Sequence, residues 1–493
     1  MAKIVIIGAG IGGLATANLL AQDGHDVHVY EKNDQLGGRA GQFKKDGFTF
    51  DTGPSWYLMP GVFDHYYRLL GTTSKKQLHL VKLSPAYKVY SGDKPPLTIT
   101  GNLKKDSKLF ESIERGSGEK LKEYIKNSKR TYQLALKYFL YSNFENKTKL
   151  VTKEVLQNSK QFISLVSAPM HTYVKKYFKN PRLQQVLEYP TVFLGSSPYA
   201  APAIYSLMSS LDFDEGVYYP KGTMYAVVTS LAGIGQKLGV TYHLNTSVDE
   251  ILTDGHKAIG LRLGNKTVEA VDIVISNADL HFTETQLLAK NAQSYPEKYW
   301  RKKEASPSAL LMFLGVKGSI PEFEHHTLLF TEDWKDNFES IFKQKKVPQP
   351  ASLYISKTSR TDKTAPRGTE NIFVLVPLPA GIELTNREVD ELADGYLEQI
   401  HKATGVDLKS RTVSRTLFGP NDFANKYNSW QSSMLGPSHK LTQSAFFRTP
   451  NKSKKIKNLY YVGASTTPGI GVPMCLISAE LVVERIKDTK EVL

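Results

Sequence analysis

Lys3-Ile-Val-Ile-Ile7, then Gly8-Ala-Gly-Ile-Gly-Gly13, then an apolar segment closing on Asp26-Val-His-Val-Tyr30 and Glu31: this N-terminal stretch decides the fold. Five residues rich in Val and Ile predict a strand buried on both faces. The glycines follow at the spacing Gly8-x-Gly10-x-x-Gly13. Gly8 permits a tight turn out of the strand, Gly10 lets backbone approach a pyrophosphate, and Gly13 lets the next helix, Leu14 to about Ala21, pack on the sheet. The helix N-terminus then presents free N–H groups to phosphate. Such a pattern is weak alone, and its context carries the case. Asp26–Tyr30 predicts a second strand, and Glu31 lies 18 residues after Gly13, where an acid holds ribose hydroxyls. A dinucleotide site for NAD or FAD follows.

The next residues bear on which nucleotide. In Asp34-Gln-Leu-Gly37-Gly38-Arg39 two glycines bring a second backbone segment close, and Arg39 offers a fork of donors for phosphate. Taken alone the tripeptide is equally an exposed turn. NAD-dependent dehydrogenases have no requirement for it. Gly37-Gly38-Arg39 resembles the extension found in FAD-binding flavoproteins of the amine oxidase and phytoene desaturase superfamily.

At 493 residues the chain exceeds one ordinary core, and two or three domains are expected. Hydrophobic content of 41% and charged content of 23% are those of a globular protein. The single cysteine, Cys475, excludes an intrachain disulfide and a cysteine-rich metal site. The histidines show no HExxH spacing, no metal is expected, and the adjacent pair His325-His326 predicts an exposed loop. Lys3 and the apolar run after it imitate a secretory signal. Fingerprint glycines interrupt that run and the strand, helix, strand order continues past any cleavage point, so no signal peptide is expected.

The net charge of +15 points to an anionic partner surface. Residues 101–220 hold 18 Lys and Arg against 11 Asp and Glu, so they supply +7 of it, together with eleven of the 26 tyrosines. Basic residues interleaved with aromatics, as in Lys137-Tyr-Phe-Leu-Tyr141 and Lys175-Lys-Tyr-Phe-Lys179, suit a lipid headgroup interface, and a solvated helical face equally. No nucleic-acid motif is present, and no such partner is expected.

Along the chain, Phe48-Thr-Phe50-Asp51 predicts a short strand running into the turn Gly53-Pro54-Ser55. A helix (62–70) and a hairpin (87–90 and 97–100, turning at Asp93-Lys-Pro-Pro96) come next. Residues 103–211 read as mainly helical. Within them, 189–211 carry no charge over 23 positions, which is long enough for a membrane span. Pro190, Pro198 and Pro202 argue instead for buried helices and turns around an apolar cavity. A helix over 225–238 precedes strands at 241–244, 248–253, 258–263, 266–270 and 272–276, with a β-meander among them. Strands at 309–316, 328–330, 352–355 and 371–377 with a helix over 387–404 predict an antiparallel sheet in a second, inserted domain. Finally Leu459-Tyr-Tyr-Val-Gly463-Ala-Ser-Thr-Thr-Pro468-Gly469-Ile-Gly471-Val-Pro473 leads into a helix over 475–487, a second strand, glycine turn and helix N-terminus.

These segments, with Tyr219-Pro-Lys-Gly-Thr-Met-Tyr225 and Pro420-Asn-Asp-Phe423, resemble the bacterial carotenoid desaturases of the phytoene desaturase family, particularly those acting on dehydrosqualene (4,4′-diapophytoene). The resemblance spans nearly the whole chain. It implies an α/β fold: a Rossmann-type FAD-binding domain of the amine-oxidase-like kind assembled from residues 1–100, 221–295 and 425–493. A helical, membrane-facing region (101–220) and an antiparallel-sheet substrate domain (296–424) would be inserted in it. FAD would be held by Gly8, Ala9, Gly10, Gly12, Gly13, Glu31, Lys32, Gly37, Gly38, Arg39, Gly53, Pro54, Ser55, Val248, Gly463, Gly471, Val472 and Pro473. Of these, Gly53–Ser55 would lie near the isoalloxazine and Val248 against the adenine. The implied activity is stepwise desaturation of a C30 or C40 polyene by an oxidoreductase peripheral to the cytoplasmic side of the cell membrane, with no transmembrane helix. A terminal-methyl oxygenase or isomerase of the same family, and a noncatalytic lipid carrier like the Rab escort proteins, are the alternatives. Neither catalytic residues nor oligomeric state can be read.

Overall fold

The computed structural model describes residues 1–144 and 159–488. Five short strands form a parallel sheet in the order Leu459–Tyr461, Ile273–Ser276, Lys3–Ile7, Asp26–Tyr30, Thr241–His243. The N-terminal strand is central, so segments from both ends of the chain and from its middle complete one sheet. Both faces are covered, which is why Ile4–Ile7 and Ile273–Ile275 are apolar and buried at successive positions. Ile4 and Ile6 pack with Leu14, Leu231 and Val482 of three helices, Ile11–Gln22, Tyr225–Lys237 and Val472–Asp488. Val5 and Val274 pack on the other side with Ile251 and Leu261 of the meander Glu250–Asp254, Lys257–Leu263, Lys266–Glu269. The fingerprint helix begins at Ile11, three residues earlier than the sequence predicted, because Gly12 and Gly13 already lie in its first turn.

The second sheet has seven strands, in the order Thr412–Phe418, Ser308–Lys317, Thr369–Leu378, Leu353–Ser356, His326–Phe330, Tyr87–Ser91, Leu97–Ile99. Two expectations are corrected here. The sheet is not wholly antiparallel, since His326–Phe330 runs parallel to Tyr87–Ser91. The hairpin within 1–100 belongs to this sheet and not to the nucleotide domain. An isolated two-stranded hairpin is marginal, and this one buries Tyr87, Val89, Leu97 and Ile99 by adding to the sheet edge. Strand Thr412–Phe418, half polar and half exposed, had no reading from the sequence. Alternate residues divide the faces. Leu310, Met312 and Leu314 pack under the helix Asn386–Thr404, while Leu311, Phe313, Phe330 and Tyr354 face the core shared with the helical region.

That region contains helices Leu103–Ile113, Ser117–Ala135, Ser159–Ser167, Met170–Val174 and Pro181–Glu188. The uncharged stretch after them folds into short turns, Tyr189–Leu194, Ala203–Leu207 and Met208–Ser210, with Pro190 and Pro202 at the starts of the first two. Of the basic, aromatic, membrane-facing region expected over 101–220, residues 145–158 lie outside the described residues. Among the described residues no helix is long and apolar enough to cross a membrane.

Candidate active site

The turn after the first strand is fixed by backbone. Gly8 has φ +93°, and a Cβ on Gly13 would sit 2.2 Å from the Gly8 carbonyl oxygen. Gly10 and Gly12 face Asn277, a residue the sequence did not single out. Its amide would lie 2.8 and 2.7 Å from Cβ atoms placed on them, and its Nδ2 donates to the Gly8 oxygen at 3.2 Å. The same Asn277 closes on Gly463, where a Cβ would be 2.7 Å away. Asn277 thus wedges between the glycine turns from the two ends of the chain. The available signal was its position at the end of a buried strand; its role needs the strand order.

Glu31, 5% exposed, accepts the Ala9 N–H at 2.9 Å through Oε2, and the backbone and side-chain N–H groups of Asn33 at 2.9 and 2.8 Å through Oε1. Lys32 donates to the Asn425 carbonyl and to Asn428. Gly37, with φ +109°, donates its N–H to the Ala9 carbonyl at 2.8 Å, which lays the second glycine segment against the first. A Cβ on Gly53 would strike the Arg39 carbonyl oxygen at 2.2 Å. Arg39 donates from Nη2 to Ser429 at 2.6 Å and lies 3.9 Å from Asp279, while its buried Nε has no partner among the described residues. An unpaired buried donor on a guanidinium costs about 1–3 kcal/mol unless something accepts from it. The chemistry of this donor set, with the glycine cradle beside it, fits a phosphate-bearing cofactor.

The C-terminal turn opens the helix Val472–Asp488, whose first turn carries no acid, so its free N–H groups stay available for an anion. Two residues that the sequence did not reveal brace this turn. Arg448, 4% exposed, donates to the carbonyls of Thr466, Pro437 and Gln443 and meets no carboxylate among the described residues; burial pulls its guanidinium down to about 10. Asn451, fully buried, links the Tyr461 and Thr467 carbonyls to Ser478. Burial also pushes the nearby Cys475 thiol up to about 12, so it stays protonated.

One cavity of about 690 Å³ joins these parts. Gly8, Gly10, Gly12, Glu31, Lys32, Gly37, Gly38, Arg39, Gly53, Pro54, Ser55, Val248, Gly471, Val472 and Pro473 line it; Ala9, Gly13 and Gly463 stand behind the wall. From the glycine end the cavity continues between the uncharged stretch (Tyr189, Val192, Phe193, Leu207, Met208) and the sheet side (Leu328, Phe330, Trp334, Phe338). Leu441, Phe446 and Phe447 both line it and are 40%, 51% and 61% exposed, so they mark a mouth. The acids on its described walls, Glu31 and Asp279, are both near the glycine end.

His325 and His326 do not form the exposed loop expected of them. Both are buried, because His326 opens a central strand and pairs with Ser356. His326 stacks on Trp56 and its Nδ1 meets the Tyr354 hydroxyl at 2.6 Å; His325 meets Thr361 at 2.7 Å. Burial holds both imidazoles neutral, His326 far below its ordinary value and His325 at about 3. On the cavity wall near Trp56, Tyr189 donates to Asp212 at 2.6 Å, and Tyr87 donates to the same oxygen at 3.3 Å. Asp212 is 2% exposed, and burial lifts its carboxyl to about 7 against the pull of those two hydrogen bonds. Glu188, fully buried, accepts from the Trp334 indole at 2.8 Å and meets His171 at 2.9 Å.

A parallel sheet with glycine turns from both chain ends, opening into an apolar cavity under a second sheet, defines a dinucleotide-binding flavoprotein. The chain belongs to the family described as "Flavin containing amine oxidoreductase", which matches residues 11–487. It is 39% identical to a carotenoid 3,4-desaturase of Haloarcula japonica, covering 98% of this chain and 97% of that one. To a zeta-carotene-forming phytoene desaturase of Myxococcus xanthus the identity is 34%, with 98% and 93% covered. To a 4,4′-diapophytoene desaturase of Staphylococcus haemolyticus it is 32%, with 99% of each covered. Among solved structures, putrescine oxidase bound to putrescine superposes with a TM-score of 0.64 at 13% identity, over 99% of this chain and 98% of that one. A Rab GDI of Plasmodium falciparum does so at 0.58 and 12%, over 98% of each. At those identities the likeness is of fold alone.

Proposed function

We propose that the chain is an FAD-dependent carotenoid desaturase that introduces successive double bonds into a C30 or C40 polyene. The observation that carries this reading is the continuity of one cavity from the glycine cradle to an aromatic, acid-free interior and an apolar mouth. Glu31 would hold the FAD ribose and Val248 the adenine. Gly8–Gly13, Gly37–Arg39 and the Val472 helix N-terminus would serve the pyrophosphate and ribityl side, and Gly53–Ser55 the isoalloxazine. FAD, when bound, supplies the hydride acceptor. The protein's own part is to align a hydrocarbon and keep water away, and Val192, Phe193, Leu207 and Phe338 are side chains of that kind. Among the described residues a cationic amine would meet no carboxylate in that interior.

In this reading the two chain ends and residues 221–295 form the cofactor unit, and 101–220 with the seven-stranded sheet form the substrate unit. The protein works at the cytoplasmic surface of the membrane as a peripheral enzyme. The exposed Phe446 and Phe447 at the mouth and the positive charge of residues 101–220 support this placement.

The test supplies C30 and C40 substrates side by side in cells making dehydrosqualene or phytoene, and analyses pigments by mass. Products lacking two hydrogens per step are expected. Oxygen-bearing or merely isomerised products would favour the oxygenase or isomerase. FAD-loaded protein that leaves every polyene unchanged would overturn the reading in favour of a carrier. The relative at 39% identity supports a second reading within the same chemistry, a desaturation at carbons 3 and 4 of an already conjugated carotenoid, so such a carotenoid is the third substrate.

A further inference from the structure

We propose that the Tyr189 hydroxyl and the Asp212 carboxylate behind it are the proton-accepting pair of the desaturation step. The proposal rests on the desaturase reading above. Each new double bond removes a hydride from one carbon and a proton from its neighbour, and the electron pair of the second C–H bond becomes the π bond. Once the hydride has left a carbon beside existing unsaturation, the chain is an allylic cation. Its neighbouring C–H is then acidic enough for a neutral phenol oxygen to accept the proton. The Tyr189 oxygen takes that proton as its own hydroxyl proton passes to Asp212. The tyrosine ends unchanged, the cation is discharged, and Asp212 ends neutral until it releases the proton to water before the next step.

Tyr189 is a wall of the cavity, and its ring centroid lies 6.0 Å from that of Trp56. Trp56 follows the Gly53–Ser55 turn, so Tyr189 stands where the cofactor end of the cavity passes into the apolar interior. Its donation to Asp212 at 2.6 Å has the length of a charge-assisted hydroxyl–carboxylate hydrogen bond, the contact along which its proton can pass. The other tyrosines of the apolar walls lack such a sink. Tyr205 donates to the Ser444 hydroxyl at 3.1 Å, which cannot keep a proton. Tyr354 meets His326, whose burial disfavours the imidazolium. Burial acts on Asp212 in the opposite sense and lifts its carboxyl to about 7, so near neutral pH the ionised and protonated forms are both populated and a delivered proton can be kept. The groups facing Asp212 are Tyr189, Tyr87 of the neighbouring strand and Asp106 of helix Leu103–Ile113. Asp106 is engaged by N–H groups of Thr100 and Asn102 and by the Thr100 hydroxyl. On its own turn, Asp214 pairs with Lys129 at 2.7 Å, and Glu215 is the other acid.

The experiment uses FAD-loaded protein in vesicles with whichever polyene the parent converts, following the anaerobic rate of the first desaturation against pH. The parent rate should fall as pH drops below about 7. Asp212→Asn, which keeps the shape, should be slower by about a hundredfold and lose that acid limb, while Asp212→Glu should regain a limb. Tyr189→Phe should lose a similar factor. Independently of turnover, infrared spectra of the parent should show a protonated-carboxyl band that titrates near neutrality and is missing from Asp212→Asn. A bracing role alone would leave the pH profile of Asp212→Asn like the parent's, and that result overturns the proposal. If Asp212→Asn does not retain FAD, Tyr189→Phe decides, since it keeps the ring packing: a parental rate there also overturns it. Failure of the parent on every polyene sinks the desaturase reading itself, and this pair with it.

Discussion

The imidazole of His326 lies flat against the indole of Trp56, with centroids 4.0 Å apart and planes 9° from parallel. This stack holds the side chain that directly follows the Gly53–Ser55 turn, and burial holds both His326 and its neighbour His325 neutral. A histidine neutral in the folded state but free to protonate near pH 6.5 once unfolded weakens the fold as pH falls through 6.5 toward its folded value, about 3 for His325. The slope is up to about 1.4 kcal/mol per pH unit for each. Asp212, with its raised carboxyl, works in the opposite sense. Comparing variants therefore isolates the histidines: His325→Gln and His326→Gln are expected to flatten the loss between pH 6.5 and 4.5 in urea titrations. An unchanged slope in both would count against buried neutral histidines.

Gly13→Ala and Gly53→Ala each drive a Cβ into a carbonyl oxygen at 2.2 Å. Backbone must shift on both sides of the cradle, at a cost of about 1–3 kcal/mol. Both variants are expected to purify with much less flavin, read from visible absorbance, and to melt earlier. Gly24→Ala, at a positive-φ turn with nothing within 4 Å, is the comparison that should keep its flavin.

Arg448 is a buried cation satisfied by carbonyls alone. Arg448→Lys offers fewer and differently directed donors. It should lower stability by about 1–3 kcal/mol and loosen FAD, because the Thr466 and Pro437 carbonyls lose partners. Wild-type flavin affinity in a folded Arg448→Lys protein would show that the brace does not reach the site.

Val192→Trp should fill the apolar interior without touching the glycine end. Conversion of the polyene is expected to drop by at least about tenfold while flavin content stays at the parental level. Parental conversion would place the substrate elsewhere.

Phe446→Ser with Phe447→Ser removes two exposed aromatic side chains from the mouth. Sedimentation with anionic vesicles should weaken by about tenfold or more, and more so at high salt. Unchanged sedimentation would move the membrane contact away from this mouth.

Elements with a strong local period were legible. The strand Lys3–Ile7, the meander and the helix Asn386–Thr404 lie within a few residues of their predicted places, because periodicity and glycine punctuation are local properties. Partners were not. Nothing near Tyr87 says that its hairpin will add, parallel, to a strand some 240 residues later. Two adjacent histidines read as polar until the strand that holds them is seen at the centre of a sheet. Asn277, Arg448 and Asn451 act on backbone brought in from elsewhere, so no motif announces them.

By itself the sequence determined the local form of the chain ends: a glycine turn after a buried strand at Gly8 and another before a helix at Gly471, both suited to close approach of backbone to an anion. It also pointed to 189–211 as largely buried turns, since 23 uncharged positions broken by proline suit a bilayer span poorly. Tertiary structure alone decided that Asn277 locks the two glycine turns together and that the cradle and the apolar interior are one cavity. It also set Asp212 behind Tyr189, where burial changes what a carboxylate can do. The physical reason is that packing, desolvation and long-range strand pairing depend on which distant segments meet, and local sequence carries little of that information.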